Sequence, residues 1–340
     1  MTGHALSPEG RPSLPVVVVA MLSLALLGAC GSGSNPASSG GEPNPTPGNP
    51  TDTGPAPGAT EGETGDAPLT LIAGDLPSPR DLVLGPEGSP IAGELFVVHF
   101  TGREATWLLD VDGAPSPRRM QSSLVGAIAA DIDGAGRFYF ACLTPQMGNF
   151  VGIVTVRRAD SSVPDFQYRG LDEPSGVALD DDGGLFVFNR GTRSVVRVSF
   201  EDGGPPDSHG VRAIADGLMI TDEVLPNHLL YDSRRRLLIS ETAGDRLRSW
   251  QDGELGVLAG ADVGLKAPID MAELPSGNLL VANYGDGRLI ELDPEGGLVS
   301  TFDTGLGASR LQAVAVRRDG ATFVADDVGG TGAVYRVRLP

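Results

Sequence analysis

Residues 183–189 read GGLFVFN. A turn rich in Asp and Gly leads into Leu185, Phe186, Val187 and Phe188, an unbroken apolar run of strand-forming type, and the run closes on a polar residue, Asn189. Five further stretches repeat this design: GELFVVH ends at His99, GRFYFAC at Cys142, RLLISE at Glu241, GNLLVAN at Asn283 and GATFVAD at Asp326. A shorter strand precedes each one: RDLVL (80–84), AIAAD (127–131), GVALD (176–180), HLLYD (228–232), DMAEL (270–274) and AVAVR (313–317). The joining segments, such as DGAG, DDGG and PSGN, carry hairpin chemistry. A third strand follows every copy, as in SVVRVSF and GRLIELD, and a weaker fourth follows most of them, as in VRAIAD and LVSTFD.

The closing residues recur every 42–52 positions. Repetition of a four-stranded unit of that length predicts an all-β chain folded as a six-bladed β-propeller. The sixth unit runs out of chain at Pro340, just after its third strand, while a spare strand, LTLIAG (69–74), stands ahead of the first. Residues 69–74 are therefore expected to complete the last blade and close the ring, leaving no open edge between first and last blades. This sets the expected propeller at 68–340.

Two segments precede it. In residues 1–30 an apolar run of about 12 residues, Val16 to Leu27, follows Arg11; it is too short to span a bilayer and suits a signal peptide. It ends Leu27-Gly28-Ala29-Cys30, which resembles a bacterial lipobox, and the resemblance implies acylation of Cys30. Gly31 stands where inner-membrane retention would call for Asp, so the expected destination is the outer membrane of a bacterial cell envelope, with the propeller extracytoplasmic. Residues 31–67 are rich in Gly, Pro, Ser and Thr and hold no apolar residue larger than Pro. They are expected to form a disordered tether, with the lipid as the sole membrane attachment.

The net charge of −19 disfavours nucleic acid and anionic lipid surfaces as partners. Cys142 is left without a disulfide partner once Cys30 is acylated, and it continues an apolar strand, so an inert thiol is expected. A monomer is expected, with an unknown protein or small molecule as its ligand.

Three stretches, PSGVALDDDGGLFVFNRGTRSVVRVSF (174–200), PNHLLYDSRRRLLISETAGDRLRSW (226–250) and PIDMAELPSGNLLVANYGDGRLIEL (268–292), resemble the NHL repeat. The second is also similar to a segment of the gluconolactonase-like propellers of the senescence-marker family. That resemblance implies a divalent cation bound by an Asn, by an Asp one blade later and by a Glu of the first blade. Asn227 matches the Asn, Asp270 lies one position beyond the Asp, and Arg80 begins the strand where the Glu would stand.

First strands of a propeller line the channel, and second strands run back beside them, so first-strand starts and second-strand ends meet at one channel mouth. Aligning the repeats gives Arg80, Gly126, Ser175, Asn227, Ile269 and Gln312 as one column. Asp81, Ala127, Gly176, His228, Asp270 and Ala313 form the next, and the strand ends His99, Cys142, Asn189, Glu241, Asn283 and Asp326 form a third. Two readings of these polar residues stand open. In one, Asn189, Asn283 and Asp326 satisfy loop amides. In the other, Asn227, Glu241, Asp270 and Asn283 hold Ca²⁺ or another divalent cation, Arg80, Asn189, Asp326 and Gln312 contact a ligand, and His99 or His228 moves a proton. The functional expectation is a lipid-anchored propeller that binds a partner or small ligand at its mouth, with no cofactor required for binding. The alternatives are a metal-dependent lactonase or esterase and a structural envelope lipoprotein.

Overall fold

The computed structural model describes residues 63–101, 105–120, 126–146, 149–158, 166–199, 212–219 and 226–340. These residues form six sheets arranged as blades, each with four antiparallel strands, and the described residues contain no α-helix. Blade one comprises Pro79–Leu84, Leu95–His99, Ala105–Leu109 and Ser116–Met120, paired in that order. Blades two to five repeat the order, beginning at Ala127, Pro174, Pro226 and Pro268. Blade six takes three strands from the C-terminus, Leu311–Val316, Thr322–Val328 and Thr331–Val337, and its fourth is Leu69–Pro77. The ring is closed by the expected strand, which runs three residues further than Gly74.

The second strands owe their unbroken apolar character to a core divided among the gaps between blades. Side chains of a strand alternate faces. In blade one, Leu95 and Val97 pack with Ala313 and Phe323 of blade six, while Phe96 and Val98 pack with Phe138 and Phe140 of blade two. Every blade is thus covered on both faces, and each of six apolar clusters belongs to two neighbouring blades. Each large apolar side chain fully buried here contributes roughly 1.5–3 kcal/mol.

The fold begins earlier than residue 68. Glu63–Asp66 pairs in parallel with Leu298–Asp303, making blade five five-stranded, and Ala67 is buried beside Phe302 and Leu306. The expected tether therefore ends before Glu63. Composition concealed this strand: a four-residue edge strand made of Glu, Thr, Gly and Asp is held by backbone hydrogen bonds, which leave no apolar pattern. The lipobox and the tether residues 31–62 lie outside the described residues.

Candidate site in the channel

Each first strand carries a bulge near its start. In blade one Pro79 faces His99 and Asp81 faces Val98, so Arg80 is the extra residue. The same shift falls between Ala127 and Ala129, Pro174 and Gly176, Pro226 and Leu229, Pro268 and Asp270, and Leu311 and Ala313. The residues after the bulge are Asp81, Ala129, Gly176, Asp270 and Ala313, with His228 in blade four. Ala129 replaces the expected Ala127, because in blade two it is Ala127 that pairs with the closing residue Cys142 and the extra residue follows it.

Three members of this column converge. Ligand atoms of Asp81, His228 and Asp270, from blades one, four and five, lie within 4.8 Å of one another. Asp81 and Asp270 are each 3% exposed. His228 Nδ1 stands 2.8 Å from Asp270 Oδ1, at ion-pair distance though off the line of a hydrogen bond. The carboxylates are also tied to backbone. Asp81 Oδ2 accepts Ala130 N–H of blade two at 2.8 Å, and Asp270 Oδ2 accepts Val314 N–H of blade six at 2.8 Å. Asp131 repeats the device one blade on, accepting Leu179 N–H of blade three at 2.7 Å. These aspartates fasten first strand to first strand around the channel.

The cluster is electrostatically loaded. Burial pushes Asp81 up to about 7, with the nearby Asp270 carboxylate adding to the rise and His228 opposing it. Burial likewise pushes Asp131 up to about 6. Burial acting alone would lower His228, but Asp270, Asp81 and Asp131 together raise it to about 9. Near neutral pH the site therefore holds an imidazolium beside Asp270 and an Asp81 poised between its two protonation states.

The other residues singled out from the sequence fall in different places. Glu241 is fully buried and paired with Arg246 and Arg248, and it is not brought to Asp270. Asn227 donates from Nδ2 to Thr242 Oγ1 at 2.6 Å. Asn283 accepts Lys266 N–H at 3.2 Å and donates to Gly264 O at 2.9 Å; Asn189 accepts Asp172 N–H at 2.9 Å. Asp326 accepts Ala333 N–H at 2.8 Å and pairs with Arg310. His99 is fully buried and shares a hydrogen bond with Thr106 of its own blade at 2.7 Å; burial pushes it down to about 4. It is Asp81 of blade one, and not His99, that meets His228. Arg80 donates to Gln312 Oε1 at 3.0 Å, joining blade one to blade six. Cys142 is a free, buried thiol pushed up to about 12 by burial, as suits an inert group. Two surface hollows of about 540 and 450 Å³, the first beside Leu84 and Arg317 and the second beside Glu273 and Ser276, lie at the other end of the first strands, away from this cluster.

Of the cluster, the sequence offers Asp270 as a ligand and His228 as a proton carrier, and it gives Asp81 no role. Its signal was present: it shares a column with His228 and Asp270, in which the remaining members are Ala or Gly.

The donor set suits a divalent cation. Donors bonded at about 2.1 Å to one ion stand roughly 3–4 Å apart, so ligand atoms that lie within 4.8 Å of one another need to draw together to close on an ion. One imidazole with two carboxylates matches Mn²⁺ or Zn²⁺ better than Ca²⁺, which prefers oxygen alone.

No protein-family model and no curated protein matches the chain by sequence. Solved structures do match its fold. A putative gluconolactonase is 17% identical with a TM-score of 0.57, over 80% of this chain and 92% of that one. A luciferin-regenerating enzyme is 13% identical with a TM-score of 0.56, over 80% and 95%. The fold is the six-bladed propeller of the gluconolactonase-like kind. A streptogramin B lyase shares it as well, at 11% identity and a TM-score of 0.54, over 80% of this chain and 88% of that one. At these identities the likeness is one of fold, and the chemistry has to be argued from this chain's own residues.

Proposed function

We propose that this chain is an envelope lipoprotein, acylated at Cys30, whose propeller binds a divalent cation at Asp81, His228 and Asp270 and a small ligand above it at the channel mouth. The observation that carries the reading is the convergence of those three donors, two buried carboxylates and a part-buried imidazole, from blades one, four and five. Two carboxylates share a single imidazolium in a buried channel, and Asp81 pushed up to about 7, chiefly by burial, is the sign of what that costs. A cation there displaces the proton from His228 and lets Asp81 ionise. Ligand binding needs no bond to be broken, and Asn189 and Asn283 of the mouth are engaged in holding loops.

Thermal melts of the purified chain test this. A cation that binds only the folded state at a hundredfold excess over its Kd adds about 2.7 kcal/mol. Mn²⁺ or Zn²⁺ should raise the melting temperature by several degrees over an EDTA-treated sample, and Asp81→Asn should remove most of the rise. Identical melts with and without metal would sink the cation reading. The anchor is tested separately: Cys30→Ala should abolish acyl labelling and release the protein from the membrane fraction.

A second reading is a metal-dependent lactone or ester hydrolase. It draws on Asp81 near 7, which suits a group that gives and takes a proton at neutral pH, and on the shared fold with a putative gluconolactonase. Metal-dependent turnover of lactones that is lost in His228→Gln would favour it over binding alone.

A further inference from the structure

Arg80 is the extra residue of the blade-one bulge, directly before Asp81. Its guanidinium is fixed from two sides. Nη1 donates to Gln312 Oε1 of blade six at 3.0 Å, and the guanidinium carbon lies 5.7 Å from the centre of the Phe100 ring. Among the described residues one of its five N–H donors makes a side-chain hydrogen bond. Among the described residues no carboxylate pairs with it, although the chain holds 44 acids and Arg197, Arg236, Arg310, Arg317 and Arg336 each have an acidic partner. Neighbouring Asp81 does not neutralise it either, because its Oδ2 is turned to Ala130 N–H.

A tie between two blades does not require this arrangement. A bond from arginine to a carboxylate is stronger than one to an amide, and the aspartates of the channel show that this fold uses charged ties freely. An arginine aimed by a neutral amide and an aromatic face keeps its charge available. We propose that Arg80 is the anion-recognising residue of the mouth, docking the carboxylate of a small organic acid whose remainder extends over Asp81, His228 and Asp270. This rests on the reading of the mouth as a ligand site and names the class of ligand. The planar fork of guanidinium matches a carboxylate, and the net charge of −19 disfavours a more highly charged anion such as a phosphate.

The test compares acetate, lactate and gluconate with acetamide, lactamide and gluconamide as probes, in melts and titrations of the full-length chain. At least one acid should stabilise the protein while its amide does not. Arg80→Gln should weaken binding of that acid about tenfold or more. Gln312→Glu, which leaves the guanidinium in place but gives it an acidic partner, should weaken it as well. A cooperative melt of each variant controls for folding. If acids and amides act alike, if none of the three acids stabilises, or if Arg80→Gln binds the acid as wild type does, the proposal is overturned. The Mn²⁺ shift is read in the same samples and should persist in Arg80→Gln. Its absence in wild type would remove the cation reading, while the comparison of acid with amide would still decide the role of Arg80.

Discussion

Asn189 and Asn283 each end a second strand and accept a backbone amide from a neighbouring loop, while Asp326, two residues short of its strand's end, accepts the amide of Ala333 on the adjacent strand. A polar residue at that point of the repeat is required by unpaired loop N–H groups, which is why the sequence shows it so regularly and why the regularity says nothing of a ligand. Glu241 occupies the same position and does something else. Its longer side chain is enclosed with Arg246 and Arg248, which follow on the next strand. The pairing was hidden in the sequence because the repeat pattern drew attention to position and away from cross-strand partners. Removing one partner of a buried ion pair costs about 3–5 kcal/mol. Glu241→Ala should therefore destabilise the protein by about that amount in a denaturant melt. It should leave the size of the Mn²⁺ shift unchanged in whatever fraction folds, and a lost shift would return Glu241 to the cation site.

At the scale of elements, the blades were legible because two periods coincide: alternation within strands and recurrence every 42–52 residues. The bulge at each first-strand start was not, since one extra residue leaves composition untouched and shows itself only in register. Where a proline or, in blade six, Leu311 faces the closing residue, the columns were readable; in blade two, where a run of small residues stands at the strand start, they were not. The N-terminal strands show the same division. Leu69–Pro77 has a hydrophobic signature, while Glu63–Asp66 has none. Their contributions should differ accordingly. A chain starting at residue 68 loses the parallel edge strand and buried Ala67 and should melt slightly below full length. One starting at residue 78 loses the outer strand of blade six, including buried Ala73 and Leu76, and should melt far lower or aggregate through the exposed edge. Equal melting of the two truncated chains would deny Leu69–Pro77 its closing role.

For the whole molecule, the channel couples stability to pH. Asp81 and Asp131 titrate higher in the folded chain than in the unfolded one, at about 7 and about 6. Each therefore favours the folded state fully below its ordinary range near 4, and the benefit fades as pH rises through the folded value. His228, raised to about 9, adds stability that is complete below about 6.5 and lost as pH climbs through 9. His99 has the opposite sign. Lowered to about 4, it stabilises above about 6.5, and that contribution disappears as pH falls through 4. The three raised groups outnumber the one lowered group on the alkaline side, so the metal-free protein should lose stability steadily between pH 6 and pH 9. Asp81→Asn removes one of these protons from the balance while Asn retains an acceptor for Ala130 N–H. Its melting temperature should exceed that of wild type at pH 8, and the excess should shrink as pH falls toward 4. Because a bound cation supplies the positive charge that protons otherwise provide, saturating Mn²⁺ should flatten the wild-type slope in the same way. A wild-type slope that is flat without metal, or unchanged by Asp81→Asn, would show that the channel carboxylates titrate as ordinary surface groups, and the electrostatic argument for a cation there would fall with them.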